Sequence, residues 1–149
     1  MDNQATLSSD QRLALKTYVK LMRATGVVTE KMHKHLLPEK LTFSQFGVVE
    51  ALYHLGPLCQ QDIGRKLLRT SGNMTMVIDN LEKRGLVVRT NDPNDRRYKR
   101  VSLTTEGARL IKNIFPRHAE ITNRVFSTLT SQEQEQLGVM LKKLGTTAA

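Results

Sequence analysis

The sequence predicts a mainly α-helical chain with one small β-hairpin, and three observations carry that reading. Apolar residues recur at helical spacing over most of the length, two short helical patterns joined by a tight turn fill residues 60–84, and two β-prone runs then flank a turn-forming tetrapeptide. Helix, turn, helix, strand, tip and returning strand, in that order from Gln60 to Leu103, is the layout of a winged helix-turn-helix, a module that binds duplex DNA.

From Asp10 to about Leu37, the residues Leu13, Leu21, Met22, Val28, Met32 and Leu36 mark one long helix ahead of Pro38. Gly26 is its weak point, costing about 1 kcal/mol relative to alanine. A second helix opens at Thr42, where Thr42 and Gln45 have capping-box spacing and Leu41 and Phe46 occupy the staple positions, and it stops at Gly56-Pro57. The third, Gln60 to Leu68, puts Ile63 and Leu67 on one face. The fourth, Ser71 to Arg84, puts Met74, Val77, Ile78 and Leu81 on one stripe before Gly85 ends it. Leu86 to Thr90 and Arg100 to Leu103 are the β-prone runs, with Asn91-Asp92-Pro93-Asn94 between them. Thr104 then caps a helix through Ile111, Ile114, Phe115, Val125 and Phe126, which Pro116 is expected to kink or interrupt. A last helix starts at a Thr130–Glu133 capping box and shows Leu137, Met140, Leu141 and Leu144 on one side.

A chain of 149 residues, 39% hydrophobic and 25% charged, has room for one domain with a core. It has no apolar run near the ~18 residues of a membrane span and no charged-then-apolar amino-terminal signal, so a cytoplasmic protein without a membrane partner is expected. The single cysteine, Cys59, allows no intramolecular disulfide and fits a reducing compartment. Nucleophile elbows, phosphate loops and paired metal motifs are missing from the sequence, so no enzyme, cofactor or metal is expected.

The formal charge of +9 is concentrated, because residues 60–100 hold ten Lys/Arg against five Asp/Glu. Charge gathered on a segment of groove-reading shape favours a nucleic-acid partner, with a merely solvated basic surface as the alternative. At about 100° per residue, the core stripe of the fourth helix leaves Gly72, Met76, Asp79, Asn80 and Lys83 facing outward, with Asn73 and Thr75 at the flanks. Asn73 or Asn80 suits a bidentate pair with adenine, Met76 and the Thr75 methyl suit a thymine methyl, and Lys83 suits a phosphate or a guanine edge. Ser71 and the amides at the helix start suit phosphate oxygens. Asp79 would be repelled by phosphates unless paired, and Lys83, four residues on, is the expected partner.

The wing, Asn91 to Arg100, carries four cations in five residues: Arg96, Arg97, Lys99 and Arg100. Arginine at such a tip suits a narrow A·T-rich minor groove, and Asp95 would orient a neighbouring guanidinium. The first helix and the last two carry more apolar surface than a compact reading head needs. They either pack on that head within one chain or form a dimer interface, and the dimer is expected because the two ends of the sequence are natural partners for each other; twofold symmetry would also suit a palindromic DNA site.

Three fragments, Asp79-Asn80-Leu81-Glu82-Lys83-Arg84-Gly85-Leu86-Val87, Asp92-Pro93-Asn94-Asp95-Arg96-Arg97 and Val101-Ser102-Leu103-Thr104-Thr105-Glu106-Gly107, resemble in order and spacing the MarR family of bacterial transcriptional regulators. The resemblance extends from about Asp10 to Leu144. It implies one MarR-like domain over 1–149, with residues 10–37 and 104–145 as dimerisation helices and 42–103 as the winged DNA-binding head. It also implies an obligate triangular homodimer, two heads on a pseudo-palindromic operator, and repression more often than activation of a nearby promoter. The base-reading helix maps onto Ser71 to Arg84, and the minor-groove arginine onto Arg97 with Asp95 as its partner. Two departures stand out: Asn80, where many members carry a basic residue, and Cys59, where relatives often have Ser or Thr.

The resemblance further implies release by small aromatic anions in a crevice between dimer helices and head, where Tyr18, His33 and Tyr53 fall by position. Cys59 at a helix start opens an alternative, an oxidation-sensing regulator, against a plain small hydrophobe. His33 and His35 point about 200° apart on a helix and make a poor chelate, while His54 and His118 need the fold to bring them together. A nonspecific architectural DNA-binding protein is the other alternative, separable by a specific-to-nonspecific affinity ratio of roughly 10³ or more.

Overall fold

The computed structural model describes residues 6–67 and 71–147, with Ser71, Gly72 and Thr147 described by backbone alone. Helix α1 (Ser9–His33) opens on a capping box in which the Ser8 hydroxyl accepts from the Gln11 amide and the Gln11 side chain accepts from the Ser8 amide. It stops short of the predicted Leu37. Pro38 has no N–H to offer, so the chain tightens into a 3-10 turn over Lys34–Leu36, bonded from the Leu37 amide to Lys34 O and from the Glu39 amide to Leu36 O. The turn leaves through Lys40, a non-glycine residue at φ +54°.

Helix α2 (Phe43–Leu55) has the expected Thr42–Gln45 box, with both staple residues, Leu41 and Phe46, buried, and ends at Gly56, whose φ of +76° favours glycine. A two-residue strand, β1 (Leu58–Cys59), follows, which the sequence reading did not foresee. Helices α3 (Gln60–Lys66) and α4 (Ser71–Lys83) come next, and the predicted end of the third helix at Leu68 lies outside the described residues. The hairpin strands β2 (Val87–Asn91) and β3 (Lys99–Leu103) each run one residue further toward the tip than expected, pairing Asn91 with Lys99. Together they form an antiparallel sheet in the order β1-β3-β2.

Helix α5 (Thr105–Phe126) passes through Pro116 unbroken. The proline and Lys112 are both exposed, so the carbonyl bond that the ring cannot make falls on the solvent side. Helix α6 (Ser131–Thr147) starts from the predicted Thr130–Glu133 box. One core joins the helices to the sheet: Phe46, Ile63, Met74, Ile78, Val101 and Ile111 are all fully enclosed in it.

Two joints connect the winged segment to the long helices. At the first, Thr104 accepts from the Gly107 amide, donates its hydroxyl to Gly85 O at 2.6 Å, and gives its backbone amide to Leu86 O. Gly107 lies so close to this turn that a Cβ on it would sit 2.0 Å from Leu86 O. At the second, His35 Nε2 and His118 Nδ1 share a hydrogen bond at 3.1 Å, with the His118 ring packed 4.4 Å from that of Phe46. Burial and then the neighbouring His35 push the His118 pKa down to about 4, and burial, Arg117 and His33 also lower that of His35.

Gly107→Ala is expected to lower stability by about 1–3 kcal/mol, read as the urea midpoint, because the clash is with backbone that cannot rotate away. The histidine pair predicts a pH dependence. His118 titrates near 4 folded but near 6.5 unfolded, so the unfolded chain binds the extra proton between these values. Stability is therefore complete above pH 6.5 and is lost as the pH falls toward 4. Glu50, whose carboxyl burial pushes up, acts in the opposite sense, so the check is a flattened slope in His118→Gln relative to wild type.

Candidate nucleic-acid interface

Helix α4 divides as its spacing dictates. Met74, Val77, Ile78 and Leu81 are buried, while Asn73, Thr75, Met76, Asn80 and Lys83 are exposed, Met76 by 63%. The Ser71 side chain lies outside the described residues.

The exposed face also carries two acids, and their partner corrects the sequence reading. Asp79 is bound not by Lys83 but by Arg89 of β2, whose Nη2 reaches Asp79 Oδ1 at 2.6 Å. Lys83, one turn along the same surface, competes with solvent, whereas Arg89 rises from the sheet beneath and is 17% exposed. Its Nη1 reaches Glu82 Oε1 at 3.3 Å, its Nε donates to Gln60 Oε1 at 3.1 Å, and Nη2 also donates to Thr75 O. The backbone amide of Arg89 donates to the second Glu82 oxygen. Gln60, at the start of α3, completes the circuit by donating to Thr75 Oγ1 at 2.9 Å. One guanidinium thus joins α3, α4 and β2 and neutralises the acids on the outward face. Neither Arg89 nor Gln60 was singled out from sequence; the signal available was two carboxylates three residues apart on a face otherwise suited to a polyanion.

The wing tip is folded on its own side chains. Asp92 Oδ1 accepts from the amides of Asn94 and Asp95, and the Tyr98 amide donates to Asp95 O. Asp95 forks Arg97: Nε donates to Oδ1 at 3.0 Å and Nη2 to Oδ2 at 2.7 Å, while the Arg97 amide donates to Oδ1. The Asp95 carboxyl is held below its ordinary range, and the Arg97 guanidinium above its own, by that pairing. Arg97 also lies 5.9 Å from the Tyr98 ring centroid. Arg96 is exposed beside it, and Lys99 Nζ donates to Asn91 Oδ1 at 2.6 Å across the hairpin.

Residues 41–99 match the model of the MarR family. The HTH-type transcriptional regulator MhqR of Bacillus subtilis is 38% identical over 135 residues, covering 91% of this chain and 93% of its own. The chain belongs to the MarR family. Two solved members of the fold, each 28% identical, superimpose closely: Bordetella bronchiseptica BpsR at TM-score 0.79, over 87% of this chain and 98% of that one, and S. aureus MepR in complex with DNA at 0.75, over 87% and 96%. BpsR is described as regulated in its DNA binding by 6-hydroxynicotinic acid. As a MarR-family protein, the chain is a DNA-binding transcriptional regulator with a winged helix.

Of the positions that the MarR resemblance marks for a crevice, Tyr18 is 58% exposed on α1 and Tyr53 is 41% exposed. His33 is half-buried, and Tyr53 joins an aromatic grouping of His35, Phe46, Phe115 and His118, its ring 6.4 Å from that of Phe115 and 5.2 Å from that of His54, which in turn packs 4.8 Å from Phe115. His118 thus meets His35 rather than His54. Among the described residues, no three or more of His, Cys, Asp and Glu are grouped to hold a metal ion. Cys59, half-buried, is the last residue of β1, in register with Arg100, and precedes α3 without a side-chain capping bond, its sulfur being a weak acceptor.

Arg89→Met is expected to cost about 1–3 kcal/mol by chemical denaturation, since it strands Asp79 and Glu82. In gel shift, it should weaken DNA binding by about tenfold or more, and Arg89→Lys should restore only part, having no fork to span both acids.

Proposed function

We propose that this regulator is a cytoplasmic homodimer that represses transcription by placing two winged heads on a pseudo-palindromic operator, and that a small aromatic anion relieves it. The observation that carries the reading is the Asp95–Arg97 fork at the wing tip, which presents a fixed, fully charged guanidinium beside an exposed, chemically varied helix face. Arg97 enters the minor groove with Asp95 as its orienter, flanked by Arg96 and Lys99 on phosphates. On α4, Asn73 or Asn80 reads an adenine edge, Met76 and the Thr75 methyl meet thymine methyls, Lys83 holds a phosphate or a guanine edge, and Ser71 meets a phosphate. MepR in its DNA complex supports this docking by analogy of fold.

The dimer is supported by a second surface of opposite character. An apolar groove of about 510 Å³ runs between α1 and α6, lined among others by Leu21, Val28, Phe126, Leu137, Met140 and Leu144. Val139, Met140 and Leu144 are each more than half exposed in one chain. Residues 10–37 and 104–145 therefore serve as the dimer helices and 42–103 as the head. The anionic effector is supported by BpsR and its hydroxynicotinic acid.

Selection of bound duplexes from a random pool, followed by gel shift at two salt concentrations, tests the reading. An inverted repeat with half-sites about one helical turn apart is the expected result; no enriched motif, with binding that vanishes at physiological salt, would instead mark a nonspecific DNA-binding protein. Against the selected site, Arg97→Ala should reduce affinity and lower the salt slope by about 1, whereas Asn73→Ala or Asn80→Ala should change base preference with the slope kept.

A further inference from the structure

Both routes by which the chain passes between the winged segment and the long helices converge on one spot, the end of helix α4. From one side, α5 grips it: Thr104 bonds Gly85 O and Leu86 O, and Gly107 is pressed against Leu86 O. From the other side, Arg84 reaches back to the segment between α1 and α2, its Nη1 donating to Lys40 O at 2.8 Å and its Nη2 to Glu39 O at 3.0 Å. Those carbonyls flank the residue in the left-handed conformation, Lys40, and the same segment is tied to α5 through His35 and His118.

A guanidinium spreading its two amino groups over consecutive backbone carbonyls fixes direction as well as distance. Arg84, exposed just past the end of α4, turns its guanidinium to those two carbonyls. We propose that Arg84 is a positioning residue for DNA recognition: by clamping the end of the reading helix to residues 39 and 40, it sets the angle at which the head stands on the long helices. In a dimer of such heads, that angle fixes the separation of the two reading helices, and hence the half-site spacing that the protein accepts. The inference rests on the dimeric reader proposed above.

The test uses full-length protein and duplexes built from the selected half-site, one series with a single half-site and one with two half-sites at varied separation. Wild type should prefer one separation. Arg84→Met should bind the single half-site within about twofold of wild type, yet lose roughly tenfold at the preferred separation and show a flattened spacing profile, as expected for the loss of two charge-assisted hydrogen bonds. Arg84→Lys, able to hold one carbonyl, should recover part of the preference. An unchanged spacing profile in Arg84→Met, or a loss equal on single and paired half-sites, would overturn the proposal. If wild type itself showed no preferred separation, the dimeric reader would fail and the proposal with it. A second measurement guards against a misfolded variant. Spin labels at Asn94→Cys in a Cys59→Ser background should give a narrow distance between the two wing tips in the unmutated head and a broad one in Arg84→Met, narrowed again by Arg84→Lys; equal widths in all three would also overturn it.

Discussion

The Arg89 guanidinium is the constraint on which the outward face of this protein depends. Three consecutive elements, α3, α4 and β2, are joined through its N–H donors, and two carboxylates that would otherwise repel a nucleic acid are turned into ligands of a cation rising from the sheet. Because the charge is supplied from below, the surface residues of α4 are left to face solvent or a partner. Gln60 links the same group to Thr75, so the first helix of the pair, the second helix and the hairpin keep one relative orientation. A lysine placed on the helix surface would neutralise one acid without tying the three elements together.

Below that face, the apolar core makes the winged segment and the front of α5 one packed body, while α1 and α6 stand largely outside it. Ile111 and Ile114 of α5 are buried with Phe46, Ile78 and Val101, whereas the apolar residues of α6 are half-buried or exposed. The chain thus has two surfaces of different character: one polar and basic, backed by the Arg89 and Asp95–Arg97 ion pairs, and one apolar and exposed.

Much of the fold was legible because its signals are local. The boxes at Thr42–Gln45 and Thr130–Glu133 need four residues each, Gly56 and Gly85 announce their own positive φ, and the buried stripe of α4 follows from 3.6-residue periodicity. Strand β1 was not legible, since two residues have no alternation to read and Leu58–Cys59 becomes a strand only through its pairing with Val101 and Arg100. Pro116 was expected to kink or interrupt the helix, and the helix runs through it without interruption at an exposed site. For the candidate site, the outward-facing residues and the Asp95–Arg97 pair, two apart, were within reach of sequence reasoning. The partner of Asp79 was misassigned because a helical neighbour four residues away looks nearer in sequence than an arginine on the next strand. The contacts of Arg84 with Lys40 and of His35 with His118 span 44 and 83 residues, and no local pattern encodes them.

The self-bonded wing has a kinetic meaning. Asp92 and Asp95 hold the amides and the guanidinium of the tip before any partner arrives, so the conformational entropy of the turn is lost during folding and not on encounter. A loop that had to order itself on contact would slow capture. A preformed cationic tip spares any later encounter that ordering cost.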